Sequence, residues 1–168
     1  MLNNDFEIIL NNNETKQYWI NQTFISEDLR TKLKDADVLI IPEYWRGSEN
    51  KGFYSGTQPF YEYVKEHNKD INIQFCIEEK DYSILQLQSA TFWIGKFIVE
   101  SVVLPLFLGM LGDYLYNQLF HNSDDEIDIE ITEQNNDGSS TTLKYHGNYD
   151  KFTELLKNQK EFLKLFKK

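Results

Sequence analysis

The sequence has little from which to build a disulfide framework or a metal centre. Its 168 residues include one cysteine, Cys76, and three histidines. A single cysteine excludes a disulfide within the chain, and it is typical of proteins that stay in a reducing compartment. The histidines are His67, His121 and His146, and their spacing is not that of metal ligands. The sequence therefore predicts no metal ion, no cofactor and no catalytic residue.

Basic residues are also scarce, with 17 lysines and arginines against 27 acidic residues and a formal net charge of −10. An acidic chain lacks the clustered positive face that phosphate backbones require, so nucleic acid is not the expected partner. The segment Lys151–Lys168 is the exception, because it carries six lysines and two glutamates. The first ten residues show neither a basic start nor a long apolar core, which predicts a cytoplasmic protein without a secretory signal.

Long uncharged runs are absent except at residues 89–120. Between Phe92 and Gly112 the only charged residues are Lys96 and Glu100, and apolar residues occur at every helical position. A helix that is apolar on all sides must be surrounded, which predicts a long helix over 89–120 in the middle of the fold. Pro105 lies inside this predicted helix, where it would remove one hydrogen bond and bend the axis.

Three surroundings could cover such a helix. The rest of the protein could enclose it, and the lack of flanking Lys and Arg clusters favours this alternative. A membrane could receive residues 92–112, with Lys96 and Glu100 paired one helical turn apart. Further copies of the chain could also pack on it, because Gly109 and Gly112 would let another backbone approach closely.

Residues 1–80 show alternating strand and helix signals. Ser26 followed by two acidic residues is a helix start, and the β-branched run before Pro42 is typical of a central parallel strand. The pattern predicts a β/α half with a small, mostly parallel sheet. Its elements are a strand at Phe6–Leu10, a strand or irregular edge at Gln17–Ile25, a helix at Ser26–Asp35, a strand at Val38–Ile41, a helix at Gln58–Asn68 and a strand at Ile71–Ile77.

Residues 126–168 predict a β-hairpin followed by a helix. Glu126–Glu133 alternates apolar and acidic residues, the turn signal Asn136-Asp137-Gly138 follows, and Thr141–His146 forms the returning strand. Asp150 would cap a helix over Lys151–Lys168, whose apolar side would cover the hairpin. The whole chain, 1–168, is therefore expected to be one α/β (α+β) domain with the apolar helix at its centre.

The best binding site in the sequence is the connection from Pro42 to Gln58. It leaves a predicted strand at its carboxyl end and enters a helix N-terminus, the place where ligands gather in open α/β sheets. Its glycines do not form a phosphate-binding motif, and its aromatic and charged residues are equally typical of protein interfaces. A protein-binding or merely structural loop is favoured over a small-molecule site. The candidate residues are Glu43, Tyr44, Trp45, Arg46, Lys51, Phe53, Tyr54 and Thr57.

Residues 89–166 predict a fixed order of elements: a glycine-containing apolar helix, a polar break, the strand IDIEIT, the Asp137-Gly138 turn, the strand TTLKYHG and the short helix DKFTELL. This order resembles the effector-associated constant component family of bacterial conflict and defence systems. The family is regarded as a non-enzymatic companion of variable effectors. The resemblance implies no catalytic residue, and it implies a protein partner encoded nearby.

Two functions follow as hypotheses. The first is a non-enzymatic adaptor of a bacterial defence-type system, which acts by protein–protein contacts and could form homo-oligomers. The alternative is a membrane-acting effector whose helix 92–112 inserts in the inner membrane. An enzyme that uses a nucleotide at the 42–58 loop is a third hypothesis, which the lack of a phosphate-binding motif disfavours.

Overall fold

The fold is known from a computed structural model that describes residues 5–44, 50–85, 91–117 and 121–167. The strands in these residues are β1 (Phe6–Leu10), β2 (Val38–Ile41), β3 (Glu43–Tyr44), β4 (Lys51–Tyr54), β5 (Ile73–Phe75), β6 (Ile84–Leu85), β7 (Thr91–Glu100), β8 (Glu126–Gln134) and β9 (Ser140–Asn148). The helices are α1 (Lys16–Ile20), α2 (Glu27–Lys34), α3 (Thr57–His67), α4 (Leu104–Tyr116), α5 (Tyr149–Lys157) and α6 (Gln159–Leu163).

Six strands form one mixed sheet in the order β1-β9-β8-β7-β2-β5, and β3, β4 and β6 form a second, small sheet. The expected α/β class is confirmed. The expectation of a mostly parallel sheet from the N-terminal half is wrong. Among the described strands of the six-stranded sheet only β2–β5 and β7–β8 pair in parallel, and the small sheet combines a parallel pair, β4–β6, with an antiparallel one, β3–β4. The middle of the sheet comes from β7 and the C-terminal hairpin, and β1 lies at the edge farthest from β5.

The predicted central helix is the largest error. Residues 91–100 form strand β7, which pairs with β2 on one side and with β8 on the other. A strand in mid-sheet that is covered on both faces is also apolar in all directions, so the pattern did not distinguish it from a buried helix. Helix α4 begins only at Leu104, with Pro105 in its first turn, where a missing N–H removes no helical bond. Residues 86–90 and 118–120 lie outside the described residues.

Two apolar cores form on opposite faces of the sheet. Helices α3, α4, α5 and α6 cover the first face, where Phe97 and Val99 of β7 point. Helices α1 and α2 cover part of the second face, over Leu39, Ile41 and Ile98. Among the described residues no helix is long and apolar enough to cross a membrane. The segment 92–112, which the alternative function needs as one helix, is divided between a strand and the start of α4.

The two charges of β7 and the two glycines of α4 have partners elsewhere in the fold. Lys96 and Glu100 do not pair with each other, since Lys96 lies 4.0 Å from Glu130 and Glu100 lies 3.0 Å from Lys16. Gly109 and Gly112 face the C-terminal helices of the same chain. A Cβ built at Gly112 would lie 3.7 Å from Leu156, so this glycine accommodates α5.

The N-terminal elements follow local signals with two exceptions. Ser26 caps α2 as predicted, because its side chain accepts the N–H of Leu29. The predicted strand or edge over Gln17–Ile25 is wrong. Its first residues belong to α1, which begins after the capping residue Thr15. The strand predicted at Ile71–Ile77 is shorter and spans only β5.

The C-terminal hairpin is confirmed, with Gly138 at φ +90° in its turn. The single helix predicted from Asp150 is wrong. Asn148 is the first cap, and Asn158 both ends α5 and caps α6, so the helical segment is divided at that residue. Phe152 and Leu156 nevertheless cover the apolar face of the hairpin as expected.

Candidate functional site

Part of the second sheet face lies beyond α1 and α2, and no helix of the described residues covers it. The strand register places four charged residues of alternating sign side by side across β7, β8, β9 and β1. These residues are Lys96, Glu130, Lys144 and Glu7. Glu130 lies 4.0 Å from the Lys96 ammonium and 3.6 Å from that of Lys144. We call this surface the open face. It also includes the next row of residues, Trp93, Asp128 and His146.

The next row of the open face contains Trp93, Asp128 and His146 in register. Asp128 and His146 form a hydrogen bond of 3.0 Å through Nδ1 of the imidazole. A shallow cavity of about 330 Å³ extends over the β8 and β9 part of the face and reaches β1. The face therefore combines charges of both signs, an indole ring and a surface depression.

A β-bulge in β7 places Trp93 and Lys96 on the same face. In a regular strand, residues three apart point to opposite faces, but the register shifts by one residue between Trp93 and Gly95. Gly95 adopts φ +135°, which glycine accommodates best. The Thr57 hydroxyl donates to the Ile94 carbonyl at 2.8 Å and fixes the bulge to the start of α3. The bulge is therefore the structural reason that an aromatic ring lies beside the charged row.

The described part of the 42–58 loop lies at the edge of this face. It forms the antiparallel pair β3–β4, which brings Glu43 and Tyr54 towards the charged row. The Tyr54 ring lies 4.8 Å from the Trp93 ring between centroids. Among the predicted site residues, these two are the ones that the structure joins to the open face.

The other predicted residues lie elsewhere. Phe53 is buried in the core between Phe75 and Tyr82, and Thr57 is buried where it holds the bulge instead of capping α3. These two side chains therefore do not line the open face. Tyr44 and Lys51 contact each other, with the Lys51 ammonium 5.5 Å from the ring centroid. Trp45 and Arg46 lie outside the described residues.

Lys96, Asp128, Glu130, Lys144 and His146 belong to the face but were not predicted as site residues. The alternation in Glu126–Glu133 places Asp128 and Glu130 on one side of a strand, a pattern that also fits a solvated strand at the edge of a sheet. The strand is instead in the middle of the sheet. Only the pairing of β8 with β7, which local sequence does not encode, brings Lys96 beside them.

Burial raises the pKa of three carboxyl groups on this face. For Glu43 the Lys96 charge opposes the rise, and the charges of Glu130 and Asp128 add to it. Burial also raises the pKa of Glu130 against the two lysines, and that of Asp128 against its hydrogen bond with His146. The surroundings therefore disfavour the charged form of each carboxyl group. Burial removes water from the carboxylate, and the neighbouring charges and hydrogen bonds do not fully compensate for that loss.

Glu43 differs from the other two carboxylates in its partners. Within the described residues its side chain makes no hydrogen bond and no ion pair, although the residue is only partly exposed. The indole N–H of Trp93 is likewise hidden from solvent and has no acceptor in that part of the chain. Partly buried polar groups without partners are uncommon, and they mark places where an external group can bind.

We expect Glu43→Gln to stabilise the fold at neutral pH. A carboxyl whose pKa is raised by folding binds its proton more tightly in the folded state. Its contribution to stability therefore falls as pH rises from 4.5, the ordinary pKa, through the raised value. The neutral amide removes this loss, so the variant should exceed the wild type in free energy of unfolding at pH 7. Urea denaturation across a pH series measures the difference.

The same series contains its own control. Below pH 4.5 Glu43 is protonated in both states of the wild type, so the advantage of the variant should disappear there. Glu154→Gln removes an equal charge from a side chain on α5 that is 76% exposed, and it should change the free energy of unfolding at pH 7 by no more than about 0.5 kcal/mol. A variant that is less stable than the wild type at pH 7 would contradict the electrostatics described for this face.

A second cleft, of about 580 Å³, lies between α2 and α3 at the carboxyl end of β5. Helix N-termini at such a place attract anions. Here the Glu78 carboxylate already accepts the backbone N–H of Ser26 at 2.9 Å. Hydrogen bonds with the side chain and then with the backbone of Ser26 lower the pKa of Glu78. Among the described residues no group of His, Cys, Asp and Glu could hold a metal ion. The open face is therefore the stronger candidate site.

Comparison with protein families, with curated proteins and with solved structures finds no match to this chain. The chemistry of the open face is thus the main source for a functional interpretation.

Proposed function

We propose that this chain is a non-enzymatic interaction component, an adaptor of a bacterial defence-type system, and that it binds a protein partner through the open face. The observation that carries the proposal is a sheet face that helices cover only in part. Layered domains bury the apolar face of a sheet against helices, and here the uncovered part is charged and aromatic instead. Tyr and Trp rings beside charged groups are typical of protein interfaces.

The shape of the face supports a protein partner over a small molecule. Small-molecule sites are usually deep and enclose most of the ligand, whereas this cavity is shallow and open. A partner surface can contact several strands at once and cover the charged row. The proposal keeps the cytoplasmic location expected from Cys76, and a second copy of the chain remains a candidate partner.

The defence context is supported by the order of elements from Leu104 onward. This part contains the apolar helix α4, a polar break, the hairpin with its Asp137-Gly138 turn, and the capped helix α5. The resemblance fails over Thr91–Glu100, where a strand replaces the first half of the expected helix. The proposed role beside an effector therefore depends on the part of the resemblance that covers residues 104–157.

Co-expression with each protein encoded by a neighbouring gene tests the proposal. We expect one of these proteins to co-elute with the chain at a fixed ratio in size-exclusion chromatography. Asp128→Lys reverses a charge on the open face at a side chain that is 31% exposed, and it should weaken this complex at least tenfold.

Glu154→Lys is the matched control, because it reverses an exposed charge of the same sign on α5, on the helical side of the sheet. This variant should bind as the wild type does. The proposal fails if no neighbouring product binds, or if the two charge reversals have the same effect on the complex.

A further inference from the structure

Among the described residues, the charges around Glu43 leave one negative charge without a counterpart. The charged groups that act on this side chain are Lys96, Lys144, Asp128 and Glu130, so the cluster holds three carboxylates and two ammonium groups. Both lysines lie next to Glu130, at 4.0 and 3.6 Å. Asp128 has His146 as its partner. A cationic group from a binding partner would therefore balance the negative charge of Glu43.

Aromatic surface adjoins the same spot. The Tyr54 ring packs against Trp93, and the charges of Glu43 and Asp128 both act on the Tyr54 hydroxyl. A cation beside a π face gains attraction from the ring in addition to that from the carboxylates. The guanidinium group fits this combination best, since it is planar, stacks on aromatic rings and donates hydrogen bonds in a fork that matches a carboxylate.

The unpaired groups also favour a peptide over a free ion. Glu43 lacks a donor, and the Trp93 indole lacks an acceptor in the described part of the chain. A peptide segment supplies both kinds of group, a cationic side chain and backbone carbonyls. The net charge of −10 would also speed the approach of a basic partner.

We propose that the open face receives an arginine or lysine side chain of the protein partner, with its charged group beside Glu43 and Asp128 and its alkyl part against Tyr54 and Trp93. This inference rests on the proposed function, because it names the chemistry of the partner at that same face. It assigns Glu43 as the residue that selects the cationic side chain.

The test uses acetylated Gly-Arg-Gly amide as the probe and the same peptide with citrulline as its neutral counterpart. Binding to the full chain is followed by NMR at low salt, through the indole N–H resonance of Trp93. We expect a saturable shift with the arginine peptide and at least tenfold weaker binding of the citrulline peptide. Glu43→Gln should weaken arginine binding at least fivefold, while Glu154→Gln should leave it unchanged.

Unfolding does not explain the expected loss, because Glu43→Gln should be more stable than the wild type at the same pH. The inference would be overturned if the citrulline peptide bound as tightly as the arginine peptide. It would also be overturned if Glu43→Gln and Glu154→Gln bound the arginine peptide equally well. Stronger binding of an acetylated Gly-Asp-Gly amide would overturn it as well, since the lysines would then be the recognising groups. A lysine peptide that binds as the arginine peptide does would support it.

The outcomes also separate this inference from the proposed function. If a neighbouring protein binds the open face with an affinity that Glu43→Gln does not change, the adaptor role stands and the cationic contact is wrong. If the arginine peptide binds but no neighbouring protein does, the cationic site stands and the adaptor role fails.

Discussion

Replacing Lys16 by methionine is expected to lower the free energy of unfolding by about 3–5 kcal/mol, the usual cost of removing one partner from a buried ion pair. Lys16 is 9% exposed, and its ammonium makes three contacts. It donates to the carbonyls of Lys34 and Ala36 at 2.9 and 2.8 Å, and it lies 3.0 Å from the Glu100 carboxylate. This one side chain joins α1 to the end of α2 and to the end of β7.

Chemical denaturation at pH 7 measures the loss. Lys34→Met removes the same charge from an exposed position on α2 and should change stability by no more than about 0.5 kcal/mol. Adding Glu100→Gln to Lys16→Met removes the carboxylate left without its partner and should recover part of the loss. If the two single lysine variants lose equal stability, Lys16 does not join these elements as described.

Local signals in the sequence were sufficient for several elements. Ser26 with its acidic first turn predicted α2, the alternation in Glu126–Glu133 predicted β8, and Asp137-Gly138 predicted the hairpin turn. Each of these signals lies within a few residues of the structure that it specifies, so tertiary contacts are not needed to interpret it.

The segment over β7 could not be interpreted in this way. Apolar residues occur on both faces of β7 because each face contacts one of the two cores. Strands β2 and β8 pair with its two edges, and these neighbours are distant in sequence. The same pattern fits a buried helix. The candidate site shared this difficulty. Glu43 and Tyr54 were found from their place after a strand, whereas Lys96 was assigned to a helix and could not be placed beside Glu130.

Phe97→Ala is expected to lower the free energy of unfolding by about 3–5 kcal/mol, as is usual for deleting a buried ring. Phe97 of β7 is 1% exposed. Its ring centroid lies 5.5 Å from that of Phe60 on α3 and 5.3 Å from that of Phe107 on α4. The three rings join the sheet to two helices of the first core. Val102→Ala, at a side chain that is 83% exposed, should change stability by no more than about 0.5 kcal/mol.

A double-mutant cycle between Phe97 and Phe107 distinguishes the strand from the helix that the sequence predicted. Rings in contact should couple by about 0.5–1.5 kcal/mol, so the double alanine variant should lose less stability than the two single variants together. In one continuous helix, residues ten positions apart are separated by about 15 Å along the axis, and their side chains do not touch. Strict additivity would therefore contradict β7 as a strand packed under α4, and with it the bulge that places Trp93 on the open face.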